Sequence, residues 1–375
     1  MSRARVRLGL IVNPMAGLGG RVGLKGSDGE IVQQRAIALG AQPRAGERAR
    51  EALTALLPLK DDIEIVTYPG SMGAEAAESL GFRVQVIGRI EAGGTSAQDT
   101  RRAARSMADM GVVLILFAGG DGTARDIYDA VGLSVPVLGI PAGVKIHSPV
   151  YAIHPRAASE LAARLVRGER LAFHEAEVID LDEDAYRCGK VATRLYGYLK
   201  VPSAGQFVQN AKSASPASEQ EAAREIAAFV VAQMQPGVAY IVGPGTTTRA
   251  IAACLGLDKT LLGVDVLRDR ALLARDVNEG QLLDILTQYP DRKIIVTPIG
   301  GQGYLFGRGN QQISPQVVRA VGRENILVVG TVNKIVALRG RPLLVDTGEA
   351  EVDRSLQGYV KVITGHNQSM VYRVG

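Results

Sequence analysis

The chain has 375 residues, of which 46% are hydrophobic and 22% charged, with 44 glycines, no tryptophan and a net charge of +5. Such a length suits two ordinary domains, and the composition is that of a soluble globular protein rather than a disordered one. The mild charge, with no basic stripe interleaved with aromatics, excludes nucleic acid as a partner, and two cysteines (Cys188, Cys254) are too few for a disulfide framework or a zinc site.

The opening MSRARVRLGLIVNP is basic and then apolar. Its apolar stretch, Leu8 to Val12, is too short for the core of a signal peptide and ends at Asn13-Pro14, so it reads as a first strand. No run approaches 18 apolar residues, which predicts no membrane span and a cytoplasmic location. IEIVTY (Ile63 to Tyr68), RVQVIG (Arg83 to Gly88), VVLILF ending at Phe117 and PVLGIP (Pro136 to Pro141) read as further strands. Between them AREALTALL from Ala49, MGAEAAESLG from Met72, AQDTRRAARSMADMG from Ala97 and ARDIYDAVG from Ala124 carry the 3.6-residue period of helices. Arg101, Arg102 and Arg105 read as a solvated face of their helix. Continuous apolar strands alternating with helices predict a mostly parallel sheet covered on both faces. A long helix from Pro155 to Glu169 closes this region, and a domain boundary is placed near residue 170.

Residues 172–202 alternate and suggest hairpin strands, and NAKSASPASEQEA (Asn210 to Ala222) reads as a linker. Strand and helix then alternate again through VAYIVGPG, TTRAIAACLG, TLLGVDVL, NEGQLLDILTQY and KIIVTPIGG, and the last ~50 residues look strand-rich by alternation. The expected architecture is α/β: an open, mostly parallel sheet in residues 1–170 and a second, mixed α/β domain in residues 171–375.

Chemistry concentrates in glycine-rich turns behind strands. Gly119-Gly120-Asp121-Gly122-Thr123 lies where a parallel strand ends and a helix begins, the place where open α/β sheets bind ligands. Glycines let backbone approach a ligand, and a helix N-terminus favours phosphate. An acid there repels phosphate, but it has a use if it positions Mg²⁺ or takes a proton from an attacking hydroxyl; alternatively Asp121 only caps the helix. Gly243-Pro244-Gly245 followed by Thr246, Thr247 and Thr248 offers a second anion cradle or plain N-capping. The loop from Pro298 to Pro315, with Gly301, Gln302 and Gly303, is too glycine-dense for a simple connection. Lys145 and His147 follow Pro141, where a cation could offset phosphate charge. No P-loop, nucleophile elbow or His-Glu-x-x-His is present.

GGDGT behind an apolar strand resembles the signature of the superfamily that holds NAD kinases, diacylglycerol and sphingosine kinases and phosphofructokinases. IVNPMAG (Ile11 to Gly17) and LGIPAGVKIHS (Leu138 to Ser148) are similar to its Asn-Pro turn and second glycine loop, in the same order. With GLKGSDG (Gly23 to Gly29), the pattern is most similar to the ATP-NAD kinase-like group that includes the acetoin catabolism protein X. The resemblance implies that Asn13, Gly119, Gly120, Gly122, Thr123 and Gly143 contact a nucleotide. It also implies that Asp121 is the catalytic or metal-positioning acid. The Asn-Glu pair and the Gly-Ser-Thr-Ala-Tyr loop of NAD kinases are missing from their expected places; the nearest equivalents are Asn278-Glu279 and GPGTTTR (Gly243 to Arg249). The second half has a weaker likeness to sugar-phosphate isomerases and deaminases.

The combined expectation is a small-molecule kinase using ATP and Mg²⁺, with NAD as acceptor and homo-oligomeric assembly. Asp121 and Lys145 would be catalytic, Asp121 would also be the metal-positioning group, and Gly245, Thr246 to Thr248, Gly301 and Gly303 would receive the acceptor. A non-catalytic NAD- or ATP-binding regulator and a sugar-phosphate isomerase or lyase are the alternatives.

Overall fold

A computed structural model describes residues 5–24, 30–90, 94–144, 146–181, 193–203, 217–299 and 302–375. Lys145, Gly301, most of GLKGSDG and most of the 210–222 stretch lie outside them. The chain divides into two compact units, one of Met1–Leu18, Gly26–Gln33 and Gln42–Ala211, the other of Gly19–Lys25, Gln34–Ala41 and Lys212–Gly375.

Besides β1 (Val6–Val12) and the start of α1 (Glu30–Ala38), whose residues from Gln34 on group with the second unit, the first unit is built from α2 (Ala45–Thr54), β2 (Ile63–Thr67), α3 (Ala74–Glu78), β3 (Arg83–Val86), α4 (Ala97–Asp109), β4 (Leu114–Gly119), α5 (Asp121–Val131), β5 (Val137–Pro141), α6 (Pro155–Val166), β6 (Ala172–Leu181) and β7 (Thr193–Ser203). The five strands β1 to β5 form a wholly parallel sheet in the order β3-β2-β1-β4-β5. Every residue from Leu8 to Val12 and from Leu114 to Gly119 is buried, so both faces of the sheet must be covered. Helix α4 packs on α5 and α2 on α6.

Helix α4 starts at a capping box. Ser96 Oγ accepts from the Asp99 amide, and the Asp99 carboxylate accepts from the Ser96 amide at 2.8 Å. Burial pushes the Asp99 carboxyl up, but hydrogen bonds from Ser96 and the Arg102 guanidinium outweigh it and hold it below its ordinary value. A depressed carboxyl contributes stability that is present above its unfolded value, about 3.9, and lost as pH falls through the folded value. Asp99→Asn is therefore expected to cost about 1 kcal/mol at neutral pH and to flatten the acid limb of a urea-midpoint titration. An unchanged acid limb would contradict this. Arg101 is not simply solvated: it donates to Asp126 at 2.6 Å and ties α4 to α5. Burial raises the Asp126 carboxyl against the lowering pull of Arg101 and Arg125.

The hairpin β6–β7 is antiparallel and buries Ala176, Val178, Leu199 and Val201 in the core of the first unit. The sequence places its boundary near residue 170; this hairpin beyond it groups with the first unit.

The second unit contains α7 (Ala217–Ala232), β8 (Ala239–Val242), α8 (Thr246–Cys254), β9 (Asp265–Arg268), β10 (Ala271–Ala274), α9 (Glu279–Gln288), β11 (Arg292–Val296), β12 (Tyr304–Phe306), α10 (Pro315–Val321), β13 (Ile326–Val329), α11 (Val332–Val336), β14 (Leu344–Val345), α12 (Ala350–Leu356), β15 (Gly358–Gly365) and β16 (Gln368–Val374). Its seven-stranded sheet, β10-β9-β8-β11-β13-β15-β16, is mixed: β8, β11, β13 and β15 run parallel, and antiparallel strands close both edges. Two short helices, α11 and α12, interrupt the region that alternation reads as strand-rich. Asn278 forms a capping box with Gln281 and starts α9, an ordinary structural role.

Candidate functional site

The strand order β3-β2-β1-β4-β5 reverses direction between β1 and β4. The chain leaves β1 toward one edge and returns on the other side, and it is outside the carboxyl ends of two such strands that open α/β sheets bind ligands. Asn13 is the first residue after β1, and Gly120 and Asp121 follow β4 directly. The motif residues of the first unit meet there. The Asn13 side chain donates to Thr123 Oγ1 at 3.0 Å and accepts from the Met15 amide at 3.1 Å, while its backbone amide donates to the Ala118 carbonyl. Asn13 thus braces the turn from both ends of its amide.

Gly119 is obligatory: a Cβ there would stand 2.5 Å from the Thr123 side chain. Its carbonyl accepts from the amides of Ala142 and Gly143 at 3.1 and 2.9 Å, so the Gly143 amide holds the loop to the turn. The Gly120 carbonyl accepts from the Tyr151 hydroxyl. Burial drives the Tyr151 phenol well above its ordinary value, and the Asp121 and Asp180 carboxylates push the same way, which keeps it a donor.

Helix α5 begins at Asp121 rather than three residues later. Gly120 is its N-cap and supplies no side chain, so the amides of Asp121, Gly122 and Thr123 have no carbonyl within the helix. With the positive end of the helix dipole they are donors of the kind that suits an anion.

The Asp121 carboxylate does not cap this helix; it reaches to the loop after β5. It is 5% exposed. One oxygen accepts from the His147 amide at 2.7 Å and faces His147 Nδ1 at 3.1 Å, while the other accepts from the Ser148 amide at 3.0 Å. An ionised carboxylate only accepts, so with Asp121 ionised this contact requires the proton on Nδ1. Ser148 continues the chain of contacts, donating to the Ile179 carbonyl and accepting from the Ile179 amide, which anchors the loop on β6. Arg48 of α2 donates to the Pro141 carbonyl at 3.1 Å and steadies the start of the same loop.

One Asp121 oxygen accepts from two N–H groups and the other from one, so a Mg²⁺ bound there directly would share the oxygens that hold the loop after β5. Among the described residues no three His, Cys, Asp or Glu side chains converge as metal ligands.

A second polar cluster lies at the carboxyl ends of β8, β11 and β13. Gly245 is the N-cap of α8 at φ +124°, and a Cβ there would meet Thr297 Cγ2 at 2.7 Å. None of the threonines caps the helix with its side chain. Thr248 donates to the Gly245 carbonyl, Thr246 is exposed, and Thr247 accepts from Lys334 Nζ at 2.8 Å. Lys334 also donates to Thr297 at 3.3 Å. Thr331 caps α11 and donates to Glu219 at 2.6 Å. Gly303 serves a turn: its amide donates to the Ile299 carbonyl and its own carbonyl accepts from the Leu344 amide.

Sequence spacing missed the pairing of His147 with Asp121, and it missed Tyr151, Lys334 and Glu219 altogether. His147 lies 26 residues from Asp121 and Lys334 lies 87 from Thr247, and only the sheet order brings either pair together.

Residues 8–170 match the family model of the ATP-NAD kinase N-terminal domain, and residues 236–374 match that of the ATP-NAD kinase C-terminal domain. Solved structures of a diacylglycerol kinase-like protein from Bacillus anthracis str. Sterne are 16%, 16% and 15% identical over 48% of this chain. The matches cover 44%, 47% and 48% of those chains, each with a TM-score of 0.22, so the chain spans about half their length. At that score the likeness carries no argument about this molecule. No curated protein matches the chain. No helix among the described residues is long and apolar enough to cross a membrane.

Proposed function

Because the chain belongs to the ATP-NAD kinase family, whose members transfer phosphoryl groups to hydroxyls, we propose that it is an ATP-dependent kinase of a small-molecule hydroxyl, with NAD the first acceptor to test. One observation carries this reading: the glycine turn places the first amides of α5 and a buried carboxylate–imidazole pair together at the switch point of the sheet.

In this reading the phosphates of ATP lie against the amides of Asp121, Gly122 and Thr123. The acceptor oxygen forms a bond to the γ-phosphorus, the bond to the β-phosphate oxygen breaks, ADP leaves, and the hydroxyl proton passes to His147 Nε2. Asp121 holds the imidazole in the tautomer that can accept it and stabilises the cation formed, while the rest of the rate comes from positioning. Mg²⁺ would neutralise phosphate charge from the nucleotide side; no carboxylate among the described residues is assigned to it.

The test is ADP release from MgATP with a panel of hydroxyl acceptors, beginning with NAD, and isolation of the phosphorylated product. Acceptor-dependent ADP release is expected. The alternative is a non-catalytic nucleotide-binding regulator. Binding of ATP or NAD without transfer to any acceptor would select that reading and reject the kinase.

A further inference from the structure

We infer that Arg308 anchors an oxyanion-binding site inside the second unit, built to take a phosphate or carboxylate group of a small molecule. Arg308 lies in the loop between β12 and α10 and is 5% exposed. Its Nη1 donates to Asp346 at 2.8 Å and to the Gly307 carbonyl at 2.9 Å, and its guanidinium stacks 4.6 Å from the Tyr304 ring centre. Nε and Nη2 are buried and have no partner.

The geometry of those two atoms is the argument. Nε–H and Nη2–H lie along one edge of the planar guanidinium and point in parallel, which is the fork that grips a carboxylate or phosphate through two bonds. An ion pair serving the fold alone would turn that edge toward its acid. Here Asp346 takes the opposite end, and the fork is left without a partner. Buried charged donors without acceptors are rare in folded proteins.

The surroundings hold the guanidinium in this pose. Gly307 sits at φ +89°, and a Cβ there would come within 1.9 Å of the Asp346 carbonyl, so the two segments are in backbone contact. The Asn310 side chain accepts from the Gly307 amide at 3.0 Å and donates to the Leu305 carbonyl at 2.7 Å. Beside the arginine, Gly309 faces open space. The sequence marks this loop as unusual for its glycine density, and phosphoryl transfer in the first unit makes no use of it. The inference stands apart from the kinase reading, and failure of either leaves the other untouched.

The wild-type chain is titrated with inorganic phosphate, pyrophosphate, acetate and succinate at constant ionic strength, reading hydrogen exchange peptide by peptide together with the melting temperature. Arg308→Lys, which keeps the charge and loses the fork, is run beside Arg319→Lys, an exposed control. Phosphate or carboxylate is expected to slow exchange in peptides covering 302–312 and 343–347, and Arg308→Lys to weaken that response by about tenfold or more while Arg319→Lys responds as wild type. Protection by phosphates alone identifies a phosphoryl ligand, and by carboxylates alone a carboxylate. The site is refuted if no anion protects those peptides beyond chloride, or if protection arises only elsewhere. A folded Arg308→Lys that responds as wild type refutes it equally. Wild-type exchange decides the matter even where the variant does not fold.

Discussion

Replacing Asp121 with asparagine is expected to lower phosphoryl-transfer turnover by a factor on the order of 10² or more. The substitution keeps the shape and removes the charge. Asp121 faces three N–H groups, from the His147 amide, His147 Nδ1 and the Ser148 amide. An asparagine has one acceptor oxygen and must set its NH₂ against at least one of those donors. Leaving one buried amide unsatisfied costs about 1–3 kcal/mol, so the variant should fold with a lower urea midpoint. The larger effect is on the imidazole, which loses the charge that fixes its tautomer. His147→Asn separates the two consequences. It keeps the backbone amide that Asp121 binds but removes the ring, so turnover should fall similarly while stability changes little. Wild-type turnover in either variant would remove the carboxylate–imidazole pair from the mechanism.

Gly17→Ala is expected to destabilise the first unit by about 3 kcal/mol and to weaken nucleotide binding. Gly17 is held at φ +79°, and an added Cβ would stand 2.1 Å from the Ala142 carbonyl oxygen. Backbone cannot yield as a side chain can, so Ala142 must move. Its amide is one of the two that bind the Gly119 carbonyl, and the strain therefore reaches the turn that opens α5. Gly81→Ala is the control: φ there is +73° with nothing within 4 Å of the added carbon, so it bears only the conformational cost of about 1 kcal/mol. Equal losses in the two variants, measured by urea unfolding and by ATP-induced stabilisation, would show that the contact with Ala142 is unimportant.

Much of the first unit was legible in the sequence because its signals are local. Five apolar runs bounded by helical periods give five parallel strands, and the Gly119–Thr123 turn announces itself by composition. Periodicity alone starts helix α5 at Ala124, since the glycines look like loop; it starts at Asp121, where Asn13 holds the Thr123 side chain and Tyr151 holds the Gly120 carbonyl. The α/β character of the second half was legible from its resumed alternation of strand and helix; that its sheet is mixed was not. The order β10-β9-β8-β11-β13-β15-β16 was not, because antiparallel edge pairing depends on which strands meet.

Residue order alone determined that a flexible, acid-bearing turn follows a buried strand and opens a helix, since backbone freedom and hydrophobic period are properties of neighbouring residues. What that acid touches was decided by tertiary structure. Strand order brings the loop after β5 beside the turn after β4 and converts Asp121 into the partner of His147 and Ser148. Strand order likewise sets Lys334 against Thr247 and Arg308 against Asp346. Such contacts join groups 26, 87 and 38 residues apart. A sheet that pairs distant strands places them, and no spacing rule along the chain encodes that pairing.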